Sequence, residues 1–231
     1  MIDASSFANL HNSFWTSHAP SLERFVRRLN LELIQRWSPP INKPPEKIRA
    51  ALVSETAFSR FCNLVSLTNL EKIEEISLLE AKKKLLPLMG EEQDLTAPLS
   101  LAEQDQIKGI EKNLISFFRQ RGEEMITRPL INGCGYVDAS EADVISGVSL
   151  FEIKAVDRSF KGTDIKQLIT YCALNHASRQ FDIQDIAIFN PRQGIWFQVN
   201  LDNIAREISG QSAQELCERV ALTICSGDIS R

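Results

Sequence analysis

The residues best suited to chemistry lie in Leu150-Phe151-Glu152-Ile153-Lys154-Ala155-Val156. Side chains alternate along a strand, so Glu152 and Lys154 share one face while Phe151, Ile153 and Ala155 share the other. Ala142 to Ile145 reads as the preceding strand, with Ser146-Gly147 as the turn between the two. A two-residue loop of that kind sets Ile145 opposite Val148, Asp143 opposite Leu150 and Glu141 opposite Glu152. Asp143 then joins Glu152 and Lys154 on one face. Opposed residues on such a face stand about 5 Å apart and diagonal ones roughly 7–8 Å, distances that two carboxylates bridge through a hard cation. Without a cation, clustering Glu141, Asp143 and Glu152 is repulsive and raises a pKa. Mg2+ suits such oxygen ligands and keeps waters that serve as nucleophiles, with Mn2+ as its natural substitute. A cation that acidifies water, beside a lysine that offsets growing negative charge, is equipment for hydrolysing a phosphodiester. The rival reading is plain: Glu-x-Lys on an alternating strand is also what an ordinary solvated sheet face looks like.

These residues must be held by a larger frame. Leu22, Phe25, Val26, Leu29, Leu33 and Ile34 recur at helical steps and predict one amphipathic helix ending before Ser38-Pro39-Pro40. Pro39 to Pro45 forms a turn, and Ile48, Ala51, Leu52, Ala57 and Phe61 supply the stripe of a second helix. A third helix is expected from about Leu70 to Leu88, closing near Gly90. The acidic, breaker-containing run from Gly90 to Pro98 marks a boundary between an α-helical region, 1–98, and a domain over 99–231. After it, Ser100 and Glu103 form a capping box for a helix whose apolar face runs through Ile107, Ile110, Leu114, Phe117 and Phe118 and which ends by Gly122. Strands follow at Met125 to Ile131, Ala142 to Ile145 and Leu150 to Val156. Thr163 caps a helix through Ser178; Ile186 to Phe189 and Ile195 to Val199 make a hairpin, and Leu201 to Ile208 and Ala213 to Ile224 are helical. That order describes a mixed α/β domain.

Helix, three strands, helix, strand, with Asp143 in the second strand and Glu152-Ile153-Lys154 in the third, resembles the PD-(D/E)xK nuclease superfamily over roughly residues 100 to 200. Gln167 and Tyr171, one helical turn apart, look like the Gln-x-x-x-Tyr signature of RecB-like members. Ala142 stands where a loosely kept proline precedes the Asp. The resemblance implies a restriction-endonuclease-like core, a mixed sheet flanked by helices. It implies Asp143 and Glu152 as Mg2+ ligands with the Ile153 carbonyl, and Lys154 as the group that orients water and stabilises the phosphate. A helical acid that often completes such a site would be Glu111 or Glu103, Glu111 bordering the apolar stripe and being the better choice. Either is also an ordinary helix residue.

Gln167 and Tyr171 would either touch phosphate or support Lys154 and the backbone. Arg158, Lys161 and Lys166, between the third strand and the following helix, could meet the nucleic-acid backbone, as could Arg192 from the hairpin turn. Surface charge and turn chemistry explain them equally well. A thiol nucleophile at Cys134, with His176 as base, is a third possibility, but no spacing brings the two together. His11, His18 and His176 have no metal-ligand spacing.

The chain of 231 residues carries a net charge of -4 and a pI near 5.5, which excludes coating nucleic acid by bulk positive charge. Contact with DNA must be local, or shared with a protein partner or a second copy engaged through the helical region. Five well-separated cysteines fit reduced thiols. No apolar run suits a membrane span, and Met1 to Ser17 does not read as a signal peptide, so a cytoplasmic protein is expected. The functional expectation is a Mg2+-dependent deoxyribonuclease in a bacterial antiviral defence or DNA-processing setting. The alternative keeps the fold without chemistry, as a DNA-binding or scaffold subunit.

Overall fold

A computed structural model describes residues 2–10, 12–66, 70–87 and 95–227. His11 and residues 88–94, which hold most of the expected boundary segment, lie outside the described residues. The chain opens with three short helices, α1 (Ala4–Leu10), α2 (Asn12–His18) and α3 (Leu22–Arg28). The helix predicted to run to Ser38 ends early: Leu29–Leu33 widens into a π turn, and Gln35–Arg36 becomes strand β1. Helices α4 (Ala50–Val65), α5 (Ile73–Leu85) and α6 (Leu101–Arg121) follow. The Ser100–Glu103 capping box forms as expected, and Gly122 closes α6 in the left-handed region at φ 66°, where only glycine is unstrained.

The strands are β2 (Met125–Thr127), β3 (Leu130–Ile131), β4 (Ser140–Glu141), β5 (Val144–Ser146) and β6 (Ser149–Ile153). After α7 (Gly162–Ser178) come β7 (Asp185–Asn190), β8 (Ile195–Asn200), α8 (Leu201–Ser209) and α9 (Ala213–Ser226). The single strand expected over Met125 to Ile131 is broken at Arg128, whose φ is +51°, just before Pro129, which has no N–H to give a ladder. β3 instead pairs with β4 in a small separate sheet.

The main sheet has the order β1-β8-β7-β6-β5-β2. Its pairs are antiparallel except β6 with β7, which run parallel. A parallel pair needs a long crossover, and α7 supplies it. Ile145, Leu150, Ile186 and Ile188 pack on the α7 side, against Ile165, Leu168 and Ile169. Val144, Phe151, Ala187 and Phe189 pack on the other, against Phe61 of α4 and Phe117 of α6. There Phe117 stacks on Phe189 with ring centroids 4.0 Å apart. The result is a three-layer α/β arrangement. Both cores draw side chains from either side of residue 98: Phe7, Trp15 and Phe25 enter the first and Val53, Ala57 and Phe61 the second.

Candidate active site

β5 and β6 pair with Ser146 opposite Ser149, Ile145 opposite Leu150 and Val144 opposite Phe151. The turn is therefore Gly147-Val148, with Gly147 at φ 56°, and the register lies two residues from the expected one. A shift of two preserves which face every side chain occupies. Extending the ladder by one step sets Asp143 opposite Glu152. Asp143 itself sits in a bend just before β5. Its backbone carbonyl accepts from the Arg128 amide at 2.8 Å, and its Oδ2 accepts from the Ile153 amide at 2.7 Å. The first contact holds the Asp143 main chain, and the second fixes its carboxylate against the end of β6.

Glu152 is only 4% exposed. Its Oε1 lies 2.6 Å from Lys154 Nζ, while its Oε2 is buried with no hydrogen-bond partner. Lys154 Nζ also donates to Gln167 Oε1 at 3.1 Å and lies 3.8 Å from Asp164. Gln167 Nε2 donates in turn to the Tyr171 hydroxyl at 3.1 Å, and that hydroxyl donates to the Glu141 carbonyl at 3.0 Å. One face of α7 therefore ties Lys154 to the backbone that leads into Asp143. Gln167 and Tyr171 are thus bonded to Lys154 and to the main chain.

The surroundings of this pair oppose its ionisation. Burial, and then the charge of Glu152, push Asp143 up to about 8. Burial also raises Glu152, although Lys154 beside it works the other way. Burial opposes the Lys154 charge, yet Glu152, Asp164 and Asp143 hold its ammonium above the ordinary lysine value. A hard divalent cation would suit this arrangement: a half-buried and a buried carboxylate resisting double ionisation, and a buried carboxylate oxygen without a donor. Among the described residues no group of three or more Asp, Glu, His or Cys is arranged to hold a metal. The donor set on offer is two carboxylates with the Ile153 carbonyl, which suits an ion that retains several waters.

No known family model matches the chain, and neither does any curated protein.

The remaining residues picked from sequence scatter. Glu111 faces α4, where it pairs with Arg60 on the opposite side of the sheet from Glu152, so it cannot complete the acid pair. Glu103 is taken up by Arg49, whose Nε, Nη2 and amide bond its carboxylate at 2.6–2.9 Å, and these bonds pull its pKa down to about 2. Arg158 is clamped on Asp164 by two bonds of 2.8 and 2.9 Å. The Lys161 side chain is exposed at the start of α7, and its amide donates to Asp164 Oδ2. Lys166 is 7% exposed and reaches Asn12 at 3.3 Å, turned into the fold rather than toward a substrate. Arg192 Nη1 donates to Gln106 and Nε to the Ala155 carbonyl, which makes it a strut of the hairpin. Burial and the neighbouring Cys225 push the Cys134 thiol up to about 12, the wrong direction for a nucleophile. His176 lines a different cleft, with Cys172 and Cys217.

Four participants had no signal at the level of spacing. Asp164 is 2% exposed and anchors both Arg158 and the first turn of α7; an acid at the third position of a helix was the available cue. Glu55 of α4, Lys84 of α5 and Arg128 meet Glu141 at the edge of the acid pair. Lys84 Nζ lies 3.1 Å from Glu55 and 3.3 Å from Glu141, and Arg128 lies 3.9 Å from each. They come from segments far apart in the chain, and only folding brings them together.

Proposed function

We propose that this protein is a Mg2+-dependent nuclease that hydrolyses phosphodiester bonds of DNA, built on a restriction-endonuclease-like core of the PD-(D/E)xK type. The observation that carries the reading is Asp143 opposed to Glu152, with Lys154 on the same face and locked by Gln167. The succession of α6, the antiparallel strands β2, β5 and β6, then α7 and a β7 parallel to β6 supports the same reading. A bacterial defence or DNA-processing role rests on the resemblance alone.

In this reading Asp143, Glu152 and the Ile153 carbonyl hold the cation. When bound, that ion polarises the phosphate and makes water easier to deprotonate. Lys154 orients the attacking water and offsets the negative charge that builds on the phosphate oxygens. Gln167 keeps the Lys154 ammonium from swinging away, and Tyr171 keeps Gln167 in register while pinning the Glu141 carbonyl. A preorganised cation on the rigid end of a strand needs little reorganisation as charge develops.

The test is cleavage of plasmid and single-stranded DNA in Mg2+ and in chelator, by wild type and Lys154→Ala. Cleavage that requires the cation and collapses with the substitution is expected. Undiminished cleavage by Lys154→Ala overturns the mechanism, and a wild type that binds DNA without cutting it favours a scaffold subunit.

A further inference from the structure

The cations first matched to the substrate are mostly spent inside the fold: Arg158 on Asp164, Lys166 on Asn12, Arg192 on Gln106 and a carbonyl. Lys84 differs from them. It belongs to α5, in the helical first part of the chain, yet its ammonium sits beside the acid pair between Glu55 of α4 and Glu141, two residues before Asp143. Its charge reaches Asp143, and it acts on Glu152 as well. The side chain is still 45% exposed. An ammonium has three N–H donors. Glu55 and Glu141 engage two and hold the third in a narrow range of positions, so much of the ordering cost of a further contact is already met by the fold.

Two carboxylates converging on one exposed lysine make a poor stability device, because exposed pairs contribute little. They are a good way to hold a cation at the rim of a site that takes up a polyanion. The contact surface of α5 points the same way. Only Ser77 and Ala81 of this helix are buried, and it is tied down by polar links, Glu80 to Arg128 and Asn63 to Ser77.

Resting on the nuclease reading above, we infer that Lys84 is a substrate residue of the same site, contacting a backbone phosphate of the nucleic acid next to the one that is cut. Glu55 and Glu141 are its positioning residues. The helical first part of the chain thereby supplies a piece of the substrate site.

The experiment measures duplex DNA affinity in Ca2+ across a salt series, for wild type, Lys84→Gln, Lys84→Arg and Glu80→Gln. A lost phosphate contact lowers the slope of log K against log salt by about 0.9 and weakens binding similarly for all sequences. Lys84→Gln is expected to lower the slope by that amount, Lys84→Arg to keep it, and Glu80→Gln, which unties α5 from Arg128 without touching the Lys84 charge, to leave it unchanged. An unchanged slope in Lys84→Gln overturns the inference, even where wild type cleaves DNA in a Lys154-dependent way. An equal loss in Glu80→Gln also overturns it, since α5 docking rather than the Lys84 charge would then be responsible. A wild type that binds no duplex DNA overturns this inference; the nuclease reading stands or falls separately, on Lys154-dependent cleavage.

Discussion

Two buried glutamates, one at the start of α6 and one near the end of β6, are almost equally hidden from water, at 3% exposure for Glu103 and 4% for Glu152. Their chemistry is opposite. Glu103 accepts from Arg49 and from the Ser100 amide, and these donors hold it ionised well below the usual carboxylate range. Glu152 has one lysine, a second carboxylate across the strand pair and an oxygen with no donor, and it is pushed upward. Burial alone therefore does not mark a functional acid. What separates the two is their surroundings: Glu103 is ringed by donors, whereas Glu152 shares its place with the carboxylates of Asp143 and Asp164.

Substitutions at the two places should separate them cleanly. The largest effect falls on catalysis: Lys154→Ala should reduce Mg2+-dependent cleavage roughly 10²- to 10³-fold and leave the fold intact, measured by turnover and by circular dichroism on the same preparation. Next, Glu103→Gln leaves the Arg49 charge without its partner, and a loss of about 3 kcal/mol is expected in urea unfolding, with cleavage per folded molecule unchanged.

The pH dependence of stability should follow the same division. The Glu103 pKa is depressed in the folded protein, so its contribution is fully present above the ordinary carboxylate pKa of 4.5 and is lost as pH falls toward about 2. Glu103→Gln should flatten that part of the acid-unfolding curve, and an unaltered curve would remove the structural role given to this residue. At the other site the sign reverses. Asp143→Asn keeps an acceptor for the Ile153 amide and relieves repulsion with Glu152, so the metal-free protein should gain about 1 kcal/mol while cleavage is abolished. The smallest effect on cleavage is expected from Tyr171→Phe, which removes the hydroxyl that donates to the Glu141 carbonyl and accepts from Gln167, each bond worth about 1 kcal/mol. It should lower kcat more than it raises KM, since it acts through Lys154; a change in KM alone would argue for direct substrate contact.

Much of this was legible from neighbours in sequence. Period-two alternation put Glu152 and Lys154 on one face, and a one-turn spacing put Gln167 and Tyr171 on another. The placement of Asp143 on the Glu152 face held despite an incorrect turn, because the register error was two residues and parity is indifferent to two. Element types from α6 onward were readable for similar reasons: capping boxes, glycine terminators and alternating strands are local signals. The break at Arg128 was not readable, since a left-handed arginine is imposed by its surroundings. Nor was the turn of the chain into β1, because Gln35 and Arg36 become a strand only through pairing with Trp196 and Ile195. Glu111 looked like a ligand because it borders the α6 stripe, but the stripe faces α4 and the far side of the sheet. Glu55 and Lys84 were invisible for the converse reason: their partners lie on distant segments, and no short spacing encodes them.

The most direct measurement is a crystal of the protein soaked in Mn2+ and examined by anomalous diffraction. One peak is expected, within about 2.1–2.2 Å of oxygens from both Asp143 and Glu152 and near the Ile153 carbonyl. A peak at any other group, or none at these two carboxylates, would contradict a cation-dependent site at the end of β6.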